Sequence, residues 1–194
     1  VERAAYAHLN VILFQVRGQA DALYTPGLEP RSALLGRNPD WDPLAEIIAR
    51  AHEQGIEVHA WLNVYPVALG ALPAAWLQPR PMVHEFNALY GNQWLLWQGG
   101  KPMQPGANEY LWANPAHPAV VERVVAVCSD LLARYELDGL HLDYVRYAGA
   151  ALAYDPVSNR AYASAAAETP SLSRADWQRA QVTGLVERVS REAL

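Results

Sequence analysis

The 194-residue sequence is 52% hydrophobic and 18% charged, with a formal net charge of -5, so it has the material for a core and is not a disordered tail. The acidic balance and the lack of Lys/Arg runs exclude nucleic acid as an expected partner. The longest apolar runs, Val11–Phe14 and Val124–Cys128, stop well short of the ~18 residues of a membrane span. The first residues lack the basic-then-apolar order of a signal peptide, which predicts one soluble domain or part of one. The lone cysteine, Cys128, rules out an intramolecular disulfide and a cysteine-rich zinc site, and its apolar helical surroundings predict a small core residue.

Glu2–His8 reads as the tail of a helix entering a strand at Asn10–Arg17, whose nearly continuous apolar and β-branched run suits a strand buried on both faces. Asp42-Pro43 then supplies an N-cap and a proline at the first helical position. Leu44, Ile47, Ile48 and Ala51 form an apolar stripe, and Gly55 marks the stop. A second strand is expected at Ile56–Asn63.

The stretch from Val64 to about Asn114 is rich in Pro, Gly and Trp. It contains an expected hairpin, Trp94–Met103, around Gly99-Gly100. Seven Trp and ten Tyr against two Phe favour rings with a polar handle. Trp76, Trp94, Trp97, Tyr110 and Trp112 predict an ordered decoration over the strand ends rather than a linker.

Pro115–Arg134 carries Val120, Val121, Val124, Val127, Leu131 and Leu132 at helical spacing and feeds a third strand candidate, Asp138–Tyr147. Gly149–Pro170, Ala-rich with Tyr154-Asp155-Pro156 as a turn, reads as a second, mobile insertion. Ser173–Asp176 is a capping box opening a last helix, Asp176–Ala193, for whose Leu185 and Val189 the sequence offers no obvious partner. There is no internal repeat and no phosphate-binding glycine motif.

Alternating strands and helices predict an α/β fold with a parallel sheet. Three strands cannot close a barrel, and both ends of the sequence are abrupt. The expectation is therefore a single domain, residues 1–194, forming about half of a (β/α)₈ barrel, with a strand before Val1 and several after Leu194. The unpaired edges of such a half barrel predict association with a second copy.

Alternation along strands places Gln15 and Arg17 on one face, then His59, Trp61 and Asn63, then His141 and Asp143. Polar side chains thus gather near the C-terminal ends of all three strands, where barrel active sites are assembled. A buried Asp143 needs a partner, which Arg17 or Arg146 would supply; a purely structural Arg–Asp pair is the alternative. Asp138 reads as capping or turn chemistry at the opposite end. Asp21, with Tyr24 close by, binds a sugar hydroxyl or fixes its own loop. Asn114 caps the following helix or presents an amide to the cleft. The expected hollow is one on which Arg17, Asn63 and Asp143 converge.

These segments resemble the glycosyl-hydrolase-like 10 family of bacterial envelope TIM-barrel proteins, which includes a peptidoglycan glycan hydrolase. The resemblance runs through Asn10–Arg17 with Asp21–Tyr24, Trp41–Leu44, His59–Asn63, Trp112–Pro115 and Asp138–Tyr147, and covers roughly residues 8 to 190. It implies a glycoside hydrolase located in the cell envelope or secreted. Asp143 would stand at the end of the fourth barrel strand as nucleophile or base, and the chain would begin before strand two and end before strand five. Arg17, Asp21, Tyr24, His59, Trp61, Asn63, Asn114, His141, Arg146 and Tyr147 are the expected substrate contacts.

The segment ending in Asp143 is also similar to the family 18 chitinase signature, but Val145 stands where that mechanism uses an acidic residue. Val64-Tyr65-Pro66 departs from the usual continuation of the resembled family, a proline and an arginine.

Glycoside hydrolysis normally takes two carboxyl groups. Glu29, Glu85 and Glu109 lie in loops, and the usual barrel solution places the second acid on a later strand, beyond Leu194. The expected substrate is a polysaccharide, peptidoglycan glycan strands first, with no cofactor and no metal, and with the chain not competent alone. Two alternatives stand beside it: a carbohydrate-binding barrel without catalysis, and a hydrolase in which His59, His141 and Asp143 ligate zinc.

Overall fold

A computed structural model describes residues 1–36, 40–149 and 154–193. Helix α1 (Glu2–Tyr6) leads into strand β1 (Val11–Arg17), followed by α2 (Pro43–His52) and β2 (Glu57–Asn63). Helix α4 (Pro118–Arg134) then returns the chain to β7 (Gly139–Asp143). These strands form one parallel sheet in the order β1-β2-β7. The domain is α/β, with each parallel crossover made through a helix.

Local chemistry accounts for the helix starts. Asp42 accepts hydrogen bonds from the Leu44 and Ala45 amides through Oδ1, and Pro43 opens α2 with a φ already suited to the helix. Leu44, Ile48 and Ala51 of α2 are buried, as are Val120, Val124, Val127, Cys128 and Leu131 of α4. Both helices cover the face of the sheet that carries Val58, Ala60 and Leu62 of β2. The opposite face, with Leu13 47% exposed, is open.

Between β2 and α4 the chain builds a compact layer: β3 (Pro66–Leu69), α3 (Met82–Tyr90), β4 (Trp97–Gln98), β5 (Lys101–Pro102) and β6 (Tyr110–Trp112). Strands β3 and β6 pair antiparallel, and β4 and β5 form the hairpin expected around Gly99-Gly100. Both glycines have positive φ, 58° and 76°, as a tight two-residue hairpin turn requires. Trp94, Leu95 and Leu96 are buried in this layer, and the Trp94 indole donates to Asn87 Oδ1.

Three sequence expectations are corrected. The third strand ends at Asp143 rather than Tyr147, because Tyr144 turns into the left-handed region at φ 51°; the ladder stops there with the Val64 amide on the Asp143 carbonyl. The second insertion is largely helical: α5 (Pro156–Glu168) starts at Asp155, whose side chain accepts from the Ser158 amide. Residues 150–153 of that insertion lie outside the described residues. Finally, Leu185 and Val189 do find a partner. Helix α6 (Arg174–Glu192), capped by Ser173, packs on α4 and buries both, while Arg188 grips Glu122 with two nitrogens.

At the N-terminal end of the sheet, Asp138 ties three elements together. Its Oδ2 accepts the Val58 amide at 2.8 Å and faces His52 Nε2 at 2.9 Å. The amide hydrogen bond, followed by His52, holds the carboxyl below the ordinary aspartate range. A depressed carboxylate stabilises the fold above its unfolded-state pKa and loses that contribution as pH falls through its folded value. Asp138→Asn should therefore be less stable than the parent at neutral pH, and the gap should close below about pH 4. Urea unfolding midpoints across pH 2–7, at about one-unit intervals, check this.

Candidate active site

The period-2 reading holds for most of the sheet. Gln15 pairs with Trp61, Trp61 with His141, and Asn63 with Asp143, so these residues share the open face. Arg17 breaks the pattern. The register slips between Gln15 and Arg17, which puts Arg17 opposite Leu62, a helix-facing position. One extra residue in one strand reverses the facing of everything beyond it. Arg17, Asn63 and Asp143 therefore do not converge as three side chains on one hollow, and Arg17 is not the partner of Asp143.

Arg17 is 1% exposed, and its Nε and Nη2 each meet one oxygen of Glu29, itself 0% exposed, at 2.8 Å. Its Nη1 donates to the carbonyls of Asn63 and Val64. Burial disfavours the cation, and Glu29 more than reverses this, raising the guanidinium pKa. Glu29 is thereby committed to the scaffold. Glu85 is likewise paired, with Arg123 at 2.6 Å.

Several other expected contacts are also interior. Tyr24 is fully buried edge-on to Tyr135, and burial raises its phenol pKa. Asn114 is fully buried, accepting the Ala116 amide and donating to Ser158 Oγ, so its amide serves the start of α4 and not the cleft. Tyr147 lies beyond the Tyr144 turn with its hydroxyl buried. Asn63 is 2% exposed and acts between neighbours: Oδ1 accepts the Trp61 indole N–H at 3.1 Å and Nδ2 donates to the Gly18 carbonyl at 3.0 Å.

At the C-terminal end of the sheet stands a carboxylate among rings. Asp143 is partly exposed, and its Oδ1 accepts the Tyr144 amide at 2.7 Å; no hydrogen bond to its Oδ2 is found among the described residues. The positive φ of Tyr144 is unusual for a bulky residue, and it swings the ring against Tyr110 and Trp112, both at 5.5 Å between centroids. Arg146 lies over Trp112 at 5.1 Å and over Tyr144 at 5.4 Å. Burial raises the Tyr110 phenol pKa, as do the neighbouring Tyr144, Asp21 and Asp143. Asp21 Oδ1 accepts the Gly18 and Gln19 amides, fixing its loop. Trp61 and His141 meet edge to face at 6.0 Å on the open sheet.

Tyr144 and the pair Tyr110/Trp112 are functional candidates to which the sequence alone assigns no contact with Asp143. A signal exists: Tyr110 and Trp112 sit two apart on a strand, hence on one face. The zinc alternative finds no support in the geometry. His59 Nε2 faces Glu57 at 3.2 Å, its ring lies so close over Gly139 that a Cβ there would fall 2.8 Å from Nδ1, and among the described residues no three His, Cys, Asp or Glu side chains gather as a metal site.

A parallel α/β sheet with a carboxylate and aromatic rings at its C-terminal end is the arrangement of many sugar-cleaving enzymes. The sequence matches the family glycosyl hydrolase-like 10 over residues 1–193, and the chain belongs to that family. It is 28% identical over 199 aligned residues to the glycosyl hydrolase DigH of Escherichia coli strain K12, covering 94% of this chain and 40% of that protein. It is 27% identical over 142 residues to the glycosyl hydrolase YngK of Bacillus subtilis strain 168, covering 70% of this chain and 24% of that protein. The chain thus spans less than half the length of these relatives.

Among solved structures, the fold is similar to part of an α-L-fucosidase, isoenzyme 2, from Paenibacillus thiaminolyticus (TM-score 0.58, 16% identity, 97% of this chain and 25% of that one). It is also similar to part of the Thermus thermophilus α-galactosidase (TM-score 0.55, 17% identity, 99% and 33%).

Because Arg17 and Glu29 are buried and mutually satisfied, removing either leaves an uncompensated charge. Arg17→Met and Glu29→Leu should each lower unfolding stability by about 3–5 kcal/mol, and the double variant by clearly less than their sum. Urea denaturation of the four proteins checks this; strict additivity would show that the pair is not coupled.

Proposed function

We propose that the domain contributes about half of a (β/α)₈ barrel glycosidase that hydrolyses O-glycosyl bonds of a polysaccharide, peptidoglycan glycan strands, with Asp143 as a catalytic carboxylate. The observation that carries this reading is the placement of Asp143: the last residue of β7, partly exposed, held through one oxygen by its own turn and flanked by Tyr144, Tyr110 and Trp112, in a chain of a glycosyl hydrolase family. Among the described residues, β1 and β7 are the edge strands of the sheet, each paired on one side. They are where further barrel strands, or a second copy, would pair.

Sugar rings present an apolar C–H face and a hydroxyl rim. The partly exposed Trp61, Tyr110 and Tyr144 supply surfaces for the first; His141 and Arg146 supply donors and acceptors for the second. Asp143, with Oδ1 fixed by the Tyr144 amide, turns its remaining lone pairs to the substrate. It attacks the anomeric carbon as a nucleophile, or takes a proton from the attacking water as a base, while a second carboxylic acid protonates the leaving oxygen. Glu29 and Glu85 are tied up in ion pairs, whereas the exposed Glu109 lines a hollow with Tyr110 and Trp112; the partner acid is therefore Glu109 or one supplied from outside this chain. A peptidoglycan substrate places the protein in the cell envelope or outside the cell.

One observation favours the second reading, carbohydrate binding without cleavage: two of the loop glutamates that could have served as the acid are structural. Hydrolysis of purified glycan strands by the full gene product separates the two. Asp143→Asn should lower turnover by about 10²–10⁴ while leaving the thermal midpoint and strand binding near those of the parent. Equal turnover in parent and variant would remove Asp143 from the chemistry, and binding with no turnover in either would establish the second reading.

A further inference from the structure

Beside the carboxylate site lies a separate cavity of about 390 Å³, within the usual range of roughly 300–1,000 Å³ for small-ligand sites. One wall is the loop after β1, with Gln19, Ala20 and Asp21; the other is β3 together with the segment between β3 and α3, with Val67, Ala68 and Trp76. Both walls leave the C-terminal ends of the sheet strands, so the cavity opens at the same end as Asp143.

Its chemistry is amphipathic. Trp76 is 78% exposed, a large ring standing at the rim with little packing to explain its presence there. Gln19 Oε1 is buried with no hydrogen-bond partner among the described residues; a buried acceptor of this kind is energetically costly unless a donor arrives. Asp21 spends only Oδ1 on the Gly18 and Gln19 amides, so its carboxylate has capacity for another donor. Trp76 shares this lining with the Asp21 carboxylate, the Gln19 carboxamide and the Arg31 guanidinium; an aromatic ring with both acceptors and donors matches a sugar ring, which offers a C–H face and a hydroxyl rim, better than a wholly apolar ligand.

The cavity is joined to the carboxylate site through named contacts. Asn63, the register partner of Asp143, donates to the Gly18 carbonyl, and Gly18 donates to Asp21 at the cavity wall. A rigid, hydrogen-bonded bridge therefore fixes the spacing between the two.

We propose that this cavity is a second saccharide subsite, with Trp76 as stacking platform and Gln19 and Asp21 as hydroxyl acceptors, which selects an extended glycan chain over a short saccharide. The inference rests on the carbohydrate reading above and adds to it: a chain bound at Asp143 continues into the Trp76 cavity, so cleavage falls within the chain and not only at single terminal units.

Glycan strands stripped of their peptide stems, separated into disaccharides and strands of four or more sugars, test it by calorimetric titration in the Asp143→Asn background, which prevents turnover. The parent background should bind the long strands more tightly than disaccharide. Trp76→Ala should weaken long-strand binding by about tenfold with disaccharide affinity unchanged. Gln19→Leu should act in the same direction, and the thermal midpoint should hold in both. Long-strand affinity unaltered by either substitution overturns the subsite while leaving the carbohydrate reading in place. No binding of any strand by the parent background overturns both.

Discussion

The buried fork of Arg17 on Glu29 is the constraint on which the candidate site depends. Four hydrogen bonds from one guanidinium hold Glu29 in the loop after β1 and the carbonyls of Asn63 and Val64 at the end of β2. A planar, permanently charged group with donors in a fixed fork is suited to this; a lysine would satisfy fewer acceptors with less geometric control. Desolvating both charges is expensive, and the arrangement is tolerable because each meets the other and the remaining Arg17 donor meets backbone carbonyls. The loop pinned in this way carries Asp21 and Gln19, so the position of these candidate groups follows from a buried ion pair outside the candidate site.

The second determinant is the turn at Tyr144. A bulky residue in the left-handed region is unfavourable by about 1–2 kcal/mol, yet here it stops β7 directly after Asp143. It also aims the Asp143 carboxylate through its own amide and lays the Tyr144 ring against Tyr110 and Trp112. Strain at such a point is compensated by the packing of three rings and the guanidinium of Arg146. The layer between β2 and α4 is thus part of the site: β6 delivers two of its rings, and the β3–β6 pairing sets their height above the sheet.

Membership of the glycosyl hydrolase-like 10 family is consistent with this architecture, and the likeness to parts of larger glycosidases extends to the fold alone. The chain covers 40% of DigH. In a parallel sheet, side chains at the strand ends converge from distant parts of a chain, so the candidate site at Asp143 need not be assembled from one segment alone.

Much of the scaffold was legible in the sequence by itself, because its determinants are local. Asp42-Pro43, Ser173 and the apolar spacing of α4 specify helix starts and buried faces. The runs at Val11–Arg17 and Glu57–Asn63 specify parallel strands, and Gly99-Gly100 specifies a hairpin. The motif around Asp143 and the family were legible for the same reason. Other features were decided only by tertiary structure, because they depend on partners far away in the chain. A single-residue slip in β1 sent Arg17 to the helix side, where Glu29 and two carbonyls of β2 await it. The left-handed turn at Tyr144 cut β7 short, and α4 received Leu185 and Val189. Alternation along a strand predicts facing only while the register holds, and register is a property of the neighbouring strand, not of the residues that obey it.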